Sequence, residues 1–118
     1  MAKACVVVLA DTDTHEAMGR MANALTSAKE FVEEGDGAVV VFDGAGTKWV
    51  PELASESHRY HRIFTELQDH IAGACAYCAK AFGVKDEIGS SPVRLLSEYR
   101  DHPSLHTYVA EGYQVLTF

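Results

Sequence analysis

Two runs of apolar, largely β-branched residues constrain this chain more than any other feature. They are Cys5-Val6-Val7-Val8-Leu9-Ala10 and Ala38-Val39-Val40-Val41-Phe42. A strand with one wet face alternates apolar and polar residues. An uninterrupted apolar run suits a strand covered on both sides, as in parallel sheets packed between helices. Each run is followed by an aspartate, Asp11 or Asp43. Between the runs, Met18, Met21, Leu25, Ala28 and Val32 recur at spacings of three and four, which makes one apolar face of a helix. Asp13 with Glu16 three residues on predicts a capping box at its start, and Gly35 stands where a helix-ending glycine belongs.

The rest of the chain repeats this alternation. Asp43-Gly44-Ala45-Gly46 is expected to end the second strand with flexible backbone, and Lys48 to Leu53 to form a loop carrying Trp49. Trp49 is expected to line a crevice or a subunit contact. Ser57 is placed as the cap of a second helix with Tyr60, Ile63, Phe64 and Leu67 on its apolar face. A third strand is expected over 70–74 and a short helix over 78–82, closed by Gly83. A fourth strand is expected over 93–96, then a last helix carrying Leu105, Tyr108 and Val109. Gly112 stops that helix, and the terminal strand covers 114–118. The order β-α-β-α-β-α-β-α-β predicts the α/β class: one domain over residues 1–118, a three-layer α/β/α arrangement around a five-stranded parallel sheet. Binding crevices of open parallel sheets lie at the carboxyl ends of the strands. Asp11, Asp43-Gly44 and Cys75 are therefore expected at one edge.

The chemistry concentrates in Cys75-Ala76-Tyr77-Cys78. An apolar run leads into Cys75 and a helical run leaves from Cys78, so C-x-x-C falls on a strand-to-helix turn. The first N–H groups of a helix have no intrahelical partner, and the helix dipole adds positive potential there. Such a place favours thiolate, the nucleophilic form. Cys75 is the candidate nucleophile and Cys78, one turn on, the candidate resolving or auxiliary thiol. Cys5 opens a buried strand and is read as core. His58 and His61 form H-x-x-H and would complete a nominal Cys₂His₂ zinc set. Zinc needs all four ligands convergent, and these histidines are placed on a solvated helix, so no metal site is expected. His15, His70, His102 and His106 are read as surface or packing residues. Gly44-Ala45-Gly46 lacks the rest of G-x-G-x-x-G because position 49 is Trp, and there is no P-loop. No cofactor is expected.

The formal net charge of −7 argues against nucleic acid and anionic membranes, which need a basic surface. No apolar run approaches a membrane span. The start Met1-Ala2-Lys3-Ala4 has no signal-peptide layout, and three cysteines make an odd count that does not suit a disulfide scaffold. The cytoplasm is the expected compartment.

Several segments match a known pattern: the opening valine-rich strand, Ala38 to Gly44, Cys75 through Gly83-Val84, and Val109-Ala110-Glu111-Gly112-Tyr113-Gln114-Val115-Leu116. The chain resembles the DsrE/DsrF-like family, which includes the TusD-type sulfur relay proteins. That pattern has a cysteine at the end of the third strand, a short helix, then Gly and a β-branched residue. Cys75 falls on the cysteine and Gly83-Val84 on the closing pair. The resemblance implies a five-stranded DsrE-like domain that assembles into homotrimers, homohexamers or related hetero-oligomers. It also implies a cysteine that takes sulfur as a persulfide from a donor protein and passes it to an acceptor protein. The chain differs in carrying Cys78 and a longer segment from Asp86 to Ser104. Three functions follow as expectations: a sulfur carrier or sulfurtransferase acting through Cys75, a thiol–disulfide switch of Cys75 and Cys78, or a non-catalytic oligomeric protein that holds a small ligand.

Overall fold

The two valine-rich runs become the central strands of the sheet. In the computed structural model, which describes residues 1–118, they are β1 (Lys3–Val8) and β2 (Gly37–Phe42), paired in parallel from Lys3↔Gly37 to Val8↔Phe42. The other strands are β3 (Ile71–Cys75), β4 (Leu95–Leu96) and β5 (Gln114–Thr117). The five form one all-parallel sheet in the order β4-β3-β2-β1-β5. The helices are α1 (His15–Glu33), α2 (Trp49–Ala54), α3 (His61–Glu66), α4 (Ala76–Ala81), α5 (Lys85–Gly89) and α6 (Leu105–Ala110). The architecture is the expected three-layer α/β/α, and no helix is long and apolar enough to cross a membrane.

Strand order decides which face each helix covers. From β1 to β4 the chain steps steadily in one direction across the sheet, so right-handed crossovers lay the intervening helices on one face. That face carries Ala4, Val6, Val8, Val40 and Phe42, packed with Met21, Leu25, Trp49, Leu53, Phe64, Ala79 and Ile88. The step from β4 to β5 runs back across the whole sheet and puts α6 on the opposite face. There Cys5, Val7, Val41 and Leu96 meet Leu105, Tyr108 and Tyr113. The two-residue period of the strands thus divides each valine run between a thick helical layer and a thin one.

Several local expectations are corrected. Thr14 rather than Asp13 caps α1, accepting from the Ala17 N–H at 3.0 Å, while Glu16 pairs with Arg20 on the exposed side. The segment after β2 is a 3₁₀ turn, Gly44–Lys48, running into α2, not an open loop. Pro51 looks like a breaker, but it stands in the first turn of α2, where its missing N–H would have had no helical partner. A Cβ on Gly46 would run into the Val8 carbonyl, so only glycine lets this turn close over the end of β1. Trp49 is fully buried and its Nε1–H donates to the Ala10 carbonyl at 2.9 Å. It lines neither crevice nor surface. Ser57 hydrogen-bonds Ser55 instead of capping a helix, and α3 begins at His61 without a side-chain cap. Its apolar face is nevertheless as expected, with Phe64 and Leu67 buried and Tyr60 and Ile63 packed against them. A 3₁₀ turn over Gln68–His70 delays β3 by one residue, so Cys75 is the last residue of the strand.

Cys5 is fully buried, and burial pushes its thiol from an ordinary 9.0 up to about 11. The folded state therefore holds this proton more tightly than the unfolded chain. The linked stability is fully present below about pH 9 and is lost as pH rises through about 11, at roughly 1.4 kcal/mol per pH unit. Cys5→Ala should flatten the fall of urea-unfolding free energy across that window by about this slope. An unchanged slope would mean that the thiol is not desolvated.

Candidate functional site

The connection after β3 turns into α4 on the thick face, while the connection after β4 leads to α6 on the thin face. Diverging connections from neighbouring strands open a crevice at the carboxyl end of the sheet, the switch point of an open α/β fold. Four chemically active side chains meet there. Asp43 follows β2, Cys75 ends β3, Cys78 lies one turn into α4, and His102 sits in the connection after β4. One donor atom from each lies within 4.8 Å of the others.

Cys75 is at the centre. Its Sγ accepts the Cys78 N–H at 3.4 Å, lies 3.3 Å from His102 Nδ1, and donates to the Asp101 carbonyl at 3.8 Å. Cys78 Sγ donates to Asp43 Oδ1 at 3.4 Å, and the same oxygen accepts the Gly44 N–H at 2.8 Å. The Tyr77 ring lies against the His102 imidazole, 4.8 Å between centroids. Cys75 is fully buried, whereas Asp43, Cys78 and His102 are partly exposed. A cavity of about 550 Å³ begins at Asp43 and His102 and runs along Tyr99, Pro103 and Leu105.

The electrostatics correct one expectation. The helix start does contribute, through the Cys78 N–H, but it does not hold Cys75 as a thiolate. Burial dominates, and with the neighbouring Asp43 charge and Cys78 thiol it pushes the Cys75 thiol up to about 12. At neutral pH Cys75 rests as a thiol, with His102 Nδ1 at contact distance from its sulfur.

The turn that carries His102 is strained. Arg100 and Asp101 have φ of 49° and 68°, in the left-handed region, and Tyr99 and His102 exchange N–H···O bonds of 2.9 and 2.8 Å around them. Positive φ at both central residues is the pattern of a type I′ turn, which favours Asn-Gly. A residue such as Arg100 costs about 1–2 kcal/mol there, whereas Asp tolerates the region better, and such strain collects at functional sites. The double change Arg100→Asn, Asp101→Gly should raise unfolding free energy by roughly 1–2 kcal/mol while keeping His102 beside Cys75. A loss of stability would show that the two side chains, not the turn, hold this loop.

The expected gathering of strand ends is realised for Asp43 and Cys75. Asp11 turns aside into an ion pair with Lys48 at 2.8 Å, which holds its carboxyl below the ordinary value. His58 lies edge-on to Trp49, and His61 Nδ1 contacts the Leu53 carbonyl at 2.7 Å, so neither joins the cysteines. His102, expected as a surface or packing residue, is instead the fourth member of the cluster. Its signal was topological: it follows the fourth strand, whose connection borders the crevice.

Fold and site define a three-layer α/β/α protein with a Cys-x-x-Cys, His and Asp cluster at the switch point of its sheet. No protein-family model matches the chain. It is 31% identical over 96 residues to the uncharacterized protein MJ0733 of Methanocaldococcus jannaschii, covering 81% of this chain and 78% of that one, and it belongs to that protein's family. The solved structure of BT1422, a conserved protein of unknown function from Bacteroides thetaiotaomicron, shares the fold: the TM-score is 0.59 at 20% identity over 97% of this chain and 94% of that one.

Proposed function

We propose that the protein carries sulfur as a persulfide on Cys75, in the manner of the DsrE/DsrF-like proteins its sequence resembles. One observation carries the reading: the Cys75 thiol lies 3.3 Å from an imidazole nitrogen and 3.4 Å from a helix N–H at the switch point of the sheet. The first contact supplies a proton acceptor and the second stabilises the anion that results. In the loading step Cys75 gives its proton to His102, and the thiolate sulfur attacks the terminal sulfur of a donor persulfide, R–S–SH. A new S–S bond forms on Cys75 and the donor S–S bond breaks. The donor leaves as thiolate and takes the proton back, so Cys75–SH and R–S–SH become Cys75–S–SH and R–SH. Transfer to an acceptor thiol is the same step in reverse. Cys78 is the auxiliary thiol, and no cofactor enters.

A second reading has its own support, because the two thiols lie within 4.8 Å of each other. Attack of Cys78 on the inner sulfur of Cys75–S–SH would give a Cys75–Cys78 disulfide and release hydrogen sulfide, the thiol–disulfide switch. Intact-mass measurement of the reduced protein after treatment with a low-molecular-weight persulfide separates the readings. A gain of one sulfur mapped to Cys75 supports the carrier, and a loss of two hydrogens supports the switch. An unchanged mass leaves a non-catalytic binding role for the cavity.

Assembly belongs to the same proposal. The thin face of the sheet is covered by one short helix, and Tyr77, Tyr99 and Val109 are each more than half exposed. These surfaces leave room for a homo-oligomer, and the resemblance to the DsrE/DsrF-like family is what points to trimers as its unit. Light scattering should give a multiple of the 12.9 kDa chain mass, and a monomer at micromolar concentration would remove this part.

A further inference from the structure

We propose that Cys75, Cys78, His102 and Asp43 form a tetrahedral site for a borderline-soft divalent cation, zinc foremost. This goes beyond the sulfur-carrier reading and does not depend on it. The argument starts from donor type. Two sulfurs, one imidazole nitrogen and one carboxylate oxygen are a ligand set that zinc accepts, whereas calcium and magnesium take oxygen.

The spacing fits as well. Zinc bonds of about 2.3 Å to sulfur and about 2.0–2.2 Å to nitrogen and oxygen imply tetrahedral edges of roughly 3.3–3.8 Å. The Cys75–His102 and Cys78–Asp43 edges are 3.3 and 3.4 Å, and no pair among the four donor atoms exceeds 4.8 Å. Side-chain adjustments of under about an ångström would close the set around one ion.

Backbone N–H groups already orient two of the ligands, and an aromatic ring packs on a third. The Gly44 N–H fixes the Asp43 carboxylate, the Cys78 N–H points at the Cys75 sulfur, and the Tyr77 ring lies against His102. The buried sulfur lies innermost, and the three partly exposed donors leave an entry path from the cavity. Binding balances as follows. The two thiols release two protons to solvent, and two thiolates and one carboxylate meet one divalent cation with His102 neutral. The same four side chains then have two exclusive states. Metal-bound sulfurs are unavailable to a persulfide, and a persulfide on Cys75 removes a ligand.

Cobalt(II) is the probe, added to reduced, chelator-stripped protein. The expected result is one equivalent bound, an ultraviolet thiolate-to-cobalt charge-transfer band, the intense visible bands of four-coordinate cobalt, and their loss when zinc is added. Cys78→Ser should remove about half of the charge-transfer intensity, one of two thiolates. His102→Gln should weaken binding by more than the roughly 10–100-fold of an outer-shell change. The double variant His58→Gln, His61→Gln should bind as wild type. Absence of the charge-transfer band, a weak six-coordinate spectrum, or unweakened binding by His102→Gln would each overturn the site. Persulfide loading is measured on the same preparation with and without zinc. Loading without metal binding refutes this site and leaves the carrier standing, and metal binding without loading does the reverse.

Discussion

Cys75→Ser should give a folded protein that no longer takes sulfur from a persulfide. Serine is close to cysteine in volume, and its hydroxyl can accept the Cys78 N–H that now points at the sulfur. The stability cost should stay within roughly 1–2 kcal/mol, the common range for point changes. The chemistry should disappear completely, because an alcohol beside His102 is not a nucleophile toward sulfane sulfur. Cys78→Ser should reduce loading without abolishing it. A dithiol switch requires something different, since either serine would prevent an intramolecular disulfide. Sulfur loading and disulfide formation measured on both variants therefore separate the two chemistries. Equal loading by wild type and Cys75→Ser would remove the carrier and leave the fold.

Trp49→Ala should be the most damaging single truncation away from the site. The indole is fully buried in the main core, and its N–H satisfies the Ala10 carbonyl where β1 ends. Truncating a buried Trp costs about 3–5 kcal/mol through lost burial and the cavity left behind. The abandoned carbonyl adds to this unless water reaches it. Against a typical domain stability of about 5–15 kcal/mol, the variant should unfold at much lower urea concentration. Trp49→Phe retains most of the apolar volume and loses the hydrogen bond, so its cost should be smaller, about 1–3 kcal/mol. If Trp49→Ala unfolded like wild type but changed the oligomeric mass, the core assignment of Trp49 would be wrong.

The two outcomes differ in how far local pattern reaches. Trp49, expected on a loop at a crevice or subunit contact, is buried in the core instead. The residue's environment is supplied by Ala10, 39 positions away in sequence. The proton affinity of Cys75 follows the same rule. A strand-to-helix turn predicts N–H groups and a favourable dipole, both local. The burial that pushes the thiol up is made by elements from the whole chain.

The sequence alone carried the α/β class, the central valine strands, the apolar face of the first helix, the cysteine pair at a strand-to-helix junction and the place of Asp43 at a strand end. These are readable because they depend on periodicity and on neighbours within a turn or two. Tertiary structure alone decided the strand order and, through it, which connections border the crevice. It brought His102 to Cys75 across 27 positions and Asp43 to Cys78 across 35. It also sent Asp11 to Lys48 and left His58 and His61 outside the cluster. The physical reason is that a parallel sheet aligns the ends of strands far apart in sequence. Only the order in which those strands pack determines which side chains share a site.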